Sequence, residues 1–162
     1  MSGSGGRLLN HGGRPAHANG HEPTTIEPAT IAVGTELPEL VIHADPTFVI
    51  SSALATRDFQ DVHHDRDKAV ERGSKDIFVN ILTDTGLVQR FVTDWSGPRT
   101  IVKKIALRLG VPLYAGDTLT LTGKVTAIEG DDIHISVTGS DSLGDHIVAT
   151  VVIAIRSSEA GA

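Results

Sequence analysis

The period of hydrophobic and polar positions changes along the chain, and each change marks a predicted element. The segment Val33–His43 passes through Pro38 into a short apolar run, which predicts a first, edge-like strand. A helix is predicted next. Asp45 is suited to cap it, Pro46 suits its first position, and apolar residues then repeat at helical spacing to Thr56.

A polar stretch and a longer apolar stripe follow. Residues 57–76 are rich in charged residues and His, which predicts a polar loop with at most a short helix. From Asp76 to Trp95, apolar residues recur at the spacing of one helix face. A helix of this length would span about 30 Å. Gly86 lies inside it, and we expect another backbone to pass close to that face.

Beyond Pro98 the apolar period shortens from about 3.6 residues to about 2. Four segments have the length and alternation of strands, and Gly-containing turns separate them: Thr100–Leu109, Asp117–Ile128, Ile133–Ser140 and His146–Arg156. Because the links are short and mostly hairpins, the pairing must be antiparallel. A lone long apolar helix must then lie across one face of the curved sheet. The predicted architecture is therefore α+β, with a helix on a sheet.

Composition sets the domain organisation and excludes some functions. Residues 1–32 contain Gly and Pro but no apolar period, so we expect a flexible tail, one domain at 33–156 and a flexible C-terminus at 157–162. The 14 Lys+Arg against 20 Asp+Glu leave a formal charge of −6, which argues against nucleic-acid binding. There is no apolar run of the length of a membrane span or a secretory signal. We expect a cytoplasmic protein.

Candidate chemistry is concentrated in the charged loop, where Asp58 precedes His63 by five residues. A carboxylate beside an imidazole can hold and polarise a water molecule, because His titrates near neutrality and Asp can fix its tautomer. Spacing alone leaves a solvated, internally hydrogen-bonded loop as the alternative. A second pair with this spacing, Asp141 and His146, crosses a predicted hairpin turn, where turn chemistry explains the Asp.

Other kinds of site have less support. With no Cys, disulfides, zinc–thiolate sites and a cysteine nucleophile are excluded. A facial metal triad on His63 and Asp65 would need His134 or His146 as a distant ligand, and no second ligand cluster is present. Ser51 lies in a predicted helix, outside any Gly-x-Ser-x-Gly motif, and no Gly-rich loop is placed to bind phosphate. We expect no metal site.

The charged loop also resembles a known motif. The run Asp58-Phe59-Gln60-Asp61-Val62-His63 is similar to the Asp-x-Asn-Pro-Leu-His motif of MaoC-like hot-dog hydratases, with Gln-Asp in place of Asn-Pro. Ile77–Thr83 lies where the family opens its central helix, and Pro112–Leu119 is similar to the family's Pro-Val-Tyr-x-Gly-Asp-Thr-Leu turn and strand. The resemblance covers about residues 33–156. Within the family, the chain looks most like the small subunit of actinobacterial steroid side-chain enoyl-CoA hydratases.

This resemblance implies a hot-dog fold, in which a curved antiparallel sheet wraps a long central helix. It also implies hydration of a trans-2-enoyl-CoA, or the reverse dehydration, in steroid and cholesterol breakdown. Asp58 and His63 would direct one water at C3 and return a proton to C2, acting as a coupled pair. The backbone N–H of Asn80, where the family has Gly, would stabilise the thioester oxygen, with an ordinary packing role for Asn80 as the alternative. No cofactor is expected beyond the CoA portion of the substrate.

The resemblance further implies a partner, a second MaoC-like hot-dog chain, with a homodimer as the alternative. Only 4% of the residues are aromatic, so this chain is poorly supplied to enclose a steroid alone. Two other functions stay open. One is a non-catalytic hot-dog subunit that shapes the pocket of a partner, and the other is a hot-dog acyl-CoA thioesterase.

Overall fold

The computed structural model describes Ile26 and residues 28–156. In this part of the chain the elements are, in order, β1 (Glu36–Ala44), α1 (Pro46–Ala55), α2 (Arg66–Glu71), α3 (Ile81–Ser96), β2 (Thr100–Leu109), β3 (Asp117–Glu129), β4 (Asp132–Asp141) and β5 (Gly144–Ile155). Short 3₁₀ turns lie at Pro28–Thr30 and Asp61–His63. All four strands predicted after Pro98 are confirmed, with bounds that differ by two residues at most.

The predicted termini lie mostly outside the described residues. This applies to most of the tail at 1–32 and to all of the C-terminus at 157–162. Within the described part, Ile31 is buried and belongs to the hydrophobic core. Packing against the domain therefore includes residues that precede Val33.

The strands of the described chain form one five-stranded antiparallel sheet in the order β1-β3-β4-β5-β2. Hairpins join β3, β4 and β5, and their turns contain Gly130 and Gly144 at positive φ. The link from β2 to β3 is different, because β2 pairs with β5 at the opposite edge from β1. The connecting residues 110–116 donate hydrogen bonds in turn to β5, to Ile77 and to the end of β1. This connection forms a wall at one end of the sheet.

The central helix is shorter than the sequence predicts. The expected helix over Asp76–Trp95 is wrong at its start, since α3 has 16 residues and begins at Ile81. Ile77 and Val79 are buried as alternate residues of an extended segment, although their positions also satisfy helical spacing. Asn80 ends this segment. Its Oδ1 accepts a hydrogen bond of 2.9 Å from the N–H of Thr83, which caps the helix.

The helix packs closely on the sheet at a glycine, but not at Gly86. No atom lies within 4 Å of the position that a Cβ on Gly86 would take, so the expectation of a close backbone there is wrong for the described chain. The close approach is at Gly123 of β3, where a Cβ would lie 2.7 Å from the Phe91 ring of α3. The stripe of Val88, Phe91, Val92 and Trp95 is buried. The α+β architecture with its helix across an antiparallel sheet is confirmed.

None of the helices in the described part of the chain is long and apolar enough to cross a membrane.

Candidate active site

Asp58 is placed by the way α1 ends. The helix begins as predicted, with Asp45 Oδ1 accepting a 2.8 Å hydrogen bond from the N–H of Phe48. At its other end Arg57 has a φ of 60°, and the N–H of Asp58 donates back to the carbonyl of Ala53 at 2.9 Å. This left-handed cap is usually made by Gly. It fixes the backbone of Asp58 directly against the end of α1.

His63 lies in the 3₁₀ turn and is 6% exposed. Its Nδ1 is 2.8 Å from the carbonyl oxygen of Phe78, and its ring packs against the Phe78 ring with centroids 4.9 Å apart. Because a carbonyl oxygen only accepts, Nδ1 carries the hydrogen of this bond. In the neutral ring Nε2 is then an acceptor, and Nε2 is the nitrogen next to Asp58.

The structure brings the two candidate catalytic residues together. Asp58 Oδ2 lies 3.4 Å from His63 Nε2, and the two side chains are 17% and 8% exposed. Burial raises the pKa of Asp58, but hydrogen bonds from the Asn80 side chain and the Gln60 N–H, with the charge of His63, outweigh it and lower the pKa below its ordinary value. Asp58 is therefore ionised at neutral pH.

Asn80 holds the carboxylate through its side chain. Its Nδ2 donates to Asp58 Oδ2 at 3.0 Å and to Thr56 Oγ1 at 2.9 Å, while Oδ1 caps α3. The residue is 2% exposed. The sequence predicts Asn80 as a backbone donor or a packing residue and misses this contact. The preference of Asn for helix N-caps is the signal that could have placed its side chain at the end of α3.

The two residues face a cavity of about 340 Å³. It is lined by Asp58, His63 and Asn80 together with Leu109–Pro112, at the end of β2 and the start of the β2–β3 connection, and His146. Another cavity in the described chain, of about 260 Å³, lies between β1 and the end of α3 and contains neither member of the pair. Of these two cavities, the one at Asp58 and His63 is lined by an Asp/His pair.

A second Asp/His pair lies at the same cavity and was missed by sequence reasoning. His146 Nε2 is 3.1 Å from Asp84 Oδ1, and the residues are 1% and 0% exposed. The Asp141 that precedes His146 by five residues instead accepts hydrogen bonds from the N–H groups of Leu143 and Gly144 at 2.7 and 3.2 Å. The turn role predicted for Asp141 is confirmed. An Asp in the buried face of α3 was the signal for the missed pair.

Within residues 28–156 no three His, Asp or Glu side chains are grouped in a way that could hold a metal ion. The ligands considered for a facial triad have other partners. Asp65 caps α2 by accepting from the N–H of Lys68 at 3.1 Å, and His134 Nε2 faces Glu129 at 3.6 Å.

An antiparallel sheet wrapped on a central helix, with polar side chains at the start of that helix, places the chain among the hot-dog proteins. Solved structures share this fold. An (R)-hydratase from A. caviae, involved in PHA biosynthesis, superposes with a TM-score of 0.70 at 18% identity, covering 78% of this chain and 98% of that one. The ChsH1-ChsH2 complex from Mycobacterium tuberculosis contains a chain that superposes with a TM-score of 0.76 at 65% identity, covering 77% of this chain and 98% of that one.

The sequence comparison assigns the chain to a smaller group of proteins than the fold does. The chain is 65% identical over 126 residues to the 3-oxo-4,17-pregnadiene-20-carboxyl-CoA hydratase beta subunit of Mycobacterium tuberculosis (strain ATCC 25618 / H37Rv), covering 78% of this chain and 98% of that protein. No family model matches the chain. The chain belongs to the family of this hydratase beta subunit and has the hot-dog fold of MaoC-like (R)-hydratases, which confirms the resemblance found in the sequence.

Proposed function

We propose that this chain is a catalytic subunit of an enoyl-CoA hydratase. It adds water to a trans-2-enoyl-CoA in which the acyl group is the side chain of a steroid. The observation that carries the proposal is the pair of Asp58 Oδ2 and His63 Nε2, 3.4 Å apart at the wall of a mostly apolar cavity. The name of the relative, a hydratase of a pregnadiene carboxyl-CoA, supports the class of substrate.

The protonation of the pair suits it to binding water. Asp58 is ionised, and whenever the His63 ring is neutral its Nε2 has a lone pair, so that both groups accept hydrogen bonds. A water molecule has two hydrogens to donate, and one can go to each acceptor. The water oxygen is then fixed and made more nucleophilic, with its remaining lone pairs free to attack.

Addition of water then needs one proton to move. The water oxygen bonds to C3, the C2–C3 double bond opens, and its electrons move onto the thioester oxygen. One proton of the water passes to the pair and is returned to C2 as the thioester carbonyl re-forms, so that the product gains one H₂O. Asp58 and His63 are coupled, and the proton is assigned to the pair rather than to either residue.

The charge on the thioester oxygen requires a donor. The start of α3 forms part of the cavity wall, and the N–H groups of a helix start carry partial positive charge. The side chain of Asn80 is engaged by Asp58, Thr56 and the helix cap, which leaves its backbone N–H for the substrate. We propose this N–H as the oxyanion donor. No cofactor is proposed beyond the CoA portion of the substrate.

A second MaoC-like hot-dog chain is the proposed partner. The similar structure is a complex of two chains, and the similar protein is a beta subunit. The cavity of about 340 Å³ lies at the lower end of the range for ligand pockets. Apolar side chains beside it are exposed, with 67% for Phe59, 50% for Ile81 and 51% for Leu82. A partner that covers these residues would complete a pocket for a large apolar acyl group.

The test is hydration of a steroid enoyl-CoA by the complex with the partner, reconstituted with Asp58→Asn or His63→Ala. Loss of acid–base catalysis is expected to lower turnover by about 10²–10⁴-fold. Asp67→Asn and His134→Ala serve as matched controls, because Asp67 is exposed and His134 lies on β4 outside the cavity lining. Near-normal hydration by both dyad variants would refute the proposal.

The same complex discriminates the alternatives. Full activity that disappears only when an Asp/His pair of the partner is removed would make this chain a non-catalytic, pocket-shaping subunit. Release of free CoA without loss of the enoyl absorbance would indicate a thioesterase. Purification of the chain as a homodimer that hydrates the substrate alone would contradict the proposed partner.

A further inference from the structure

The second Asp/His pair connects three elements around the cavity. Asp84 lies in the first turn of α3, His146 lies on β5, and Val111 lies in the connection between β2 and β3. His146 Nε2 is 3.1 Å from Asp84 Oδ1, and its Nδ1 is 2.6 Å from the carbonyl oxygen of Val111. Asp84 follows Asn80 by one helical turn. The start of α3 is thus joined to Asp58 through Asn80, and to the Leu109–Pro112 part of the cavity lining through Asp84 and His146.

The hydrogen bonds of His146 fix the number of protons in this pair. The carbonyl of Val111 only accepts, so Nδ1 of His146 carries a hydrogen. Between Nε2 and the Asp84 carboxylate there must then be another proton, because this carboxylate, unlike that of Asp58, has no other donor among the described residues to offset the repulsion of two acceptors at 3.1 Å. It resides either on the imidazolium or on the carboxyl group. In both cases the buried pair as a whole is neutral.

Stability gives no reason to keep such a pair. Asp84 Oδ2 is buried and has no hydrogen-bond partner among the described residues. Replacing a buried ion pair with apolar side chains of similar volume is often neutral or stabilising by about 1–4 kcal/mol. Asp84 and His146 are both buried. We infer that the pair is present, in spite of its unfavourable effect on stability, because it contributes to the site.

The role of the pair in the site follows from the position of Val111 in the cavity lining. Leu109–Pro112 and His146 line the same cavity as Asp58 and His63. The N–H of Gly110 donates to the carbonyl of His146 at 2.8 Å, so this wall lies directly on β5. Its only described side-chain link to α3 through hydrogen bonds is the chain from Val111 through His146 to Asp84.

We propose that Asp84 and His146 are positioning residues of the site, which hold the Leu109–Pro112 wall at a fixed distance from Asp58 and His63 while they share one proton. The inference deepens the proposed hydratase function and rests on it. Neither ring nitrogen of His146 is free for substrate, so the pair acts through the geometry of the cavity.

The shared proton makes this positioning depend on pH. Burial lowers the pKa of His146, but the hydrogen bond and charge of Asp84, the Val111 carbonyl and the charge of Asp141 outweigh it and raise the pKa. Burial raises the pKa of Asp84 more than His146 and His63 lower it. Both directions keep the proton in the pair at neutral pH. When the pair loses this proton in alkaline solution, the Asp84 carboxylate and the lone pair of His146 Nε2 repel each other. This repulsion would displace the wall.

Asp84→Asn tests this in the complex with the partner. The Asn amide donates to Nε2 of the neutral ring at neutral and alkaline pH, so the contact is kept there and its alkaline titration is removed. We expect the wild type to lose turnover of a trans-2-enoyl-CoA on the alkaline side and Asp84→Asn to lack this loss. Identical alkaline profiles, or no alkaline loss in the wild type, would overturn the inference.

The double variant Asp84→Leu/His146→Leu tests the same point independently. We expect a melting temperature at least equal to that of the wild type but a turnover about 10–100-fold lower, since small displacements of a site reduce rate by such factors. A folded double variant that loses less than about tenfold contradicts a positioning role. If it does not fold, the pH comparison alone decides. Asp58→Asn and His63→Ala are measured in parallel, because near-normal hydration by both would refute the hydratase proposal itself.

Discussion

Replacing Asn80 with Gly, the residue typical of the family at this position, is expected to destabilise this protein. In most helices an Asn-to-Gly change at the N-cap costs only a few tenths of a kcal/mol. Here the side chain also donates to the Asp58 carboxylate at 3.0 Å and to Thr56 Oγ1 at 2.9 Å. Both donated bonds are lost in the variant.

The size of the effect follows from these two bonds. A hydrogen bond to a charged group contributes about 1.5–3 kcal/mol and a neutral one about 0.5–1.5 kcal/mol. With Asp58 and Thr56 partly accessible to replacement water, we expect a loss of about 2–4 kcal/mol at pH 7. Asn80→Asp is the matched variant. It keeps the cap, removes both Nδ2 bonds and places a second carboxylate beside Asp58, so it separates the effect of these bonds from that of the cap.

The sign of the pH dependence is fixed by Asp58. Its pKa is lowered in the folded protein, so its contribution to stability is present above the unfolded pKa, near 4, and is lost as the pH falls through the lower folded value. The free-energy difference between wild type and Asn80→Gly is therefore expected to shrink in acid. Urea unfolding at neutral and acidic pH measures it. Equal stability at pH 7, or a difference that is the same in acid, would refute this reasoning.

Three backbone predictions can be checked by the same unfolding measurement. Arg57→Gly relieves the positive φ of 60° and is expected to stabilise the protein by about 1 kcal/mol; a lower urea midpoint would contradict it. Gly86→Ala has free space around the new methyl group and is expected to add about 1 kcal/mol through helix propensity, unless a partner chain covers that face. Gly110→Ala places a Cβ 2.2 Å from the carbonyl oxygen of Asp145 and is expected to destabilise the protein and displace the cavity wall; unchanged stability and activity would count against that wall.

Local patterns in the sequence were sufficient for most elements. The strands after Pro98 alternate cleanly, and Asp45-Pro46 marks the start of α1 because both residues act within one helical turn. The start of α3 was wrong because the buried positions of Ile77 and Val79 fit both a helix and an extended segment. Only the pairing of Val79 with Leu113, distant in sequence, distinguishes the two. The crossing from β2 to β3 likewise depends on contacts that no local pattern contains.

The two Asp/His pairs also show that local patterns do not predict contacts between residues distant in sequence. Asp58 and His63 lie in one loop and form a motif, so the sequence could indicate them. Asp84 and His146 lie 62 residues apart on a helix and a strand. An isolated buried Asp and an isolated buried His carry no sign of each other until the sheet is formed. Sequence spacing therefore linked His146 to Asp141, its neighbour in the chain, and missed its partner in space.

The difference in chemistry between the pairs comes from the other contacts of the carboxylates. Both imidazoles donate Nδ1–H to a backbone carbonyl, so both present Nε2 to an Asp. Asp58 has further donors, which lower its pKa and let it stay ionised without a proton from His63. The Asp84 carboxylate has His146 as its one hydrogen-bond partner among the described residues, and burial raises its pKa. The first pair is thus left with two acceptors that can hold a water molecule, while the second must share a proton and can only hold the wall.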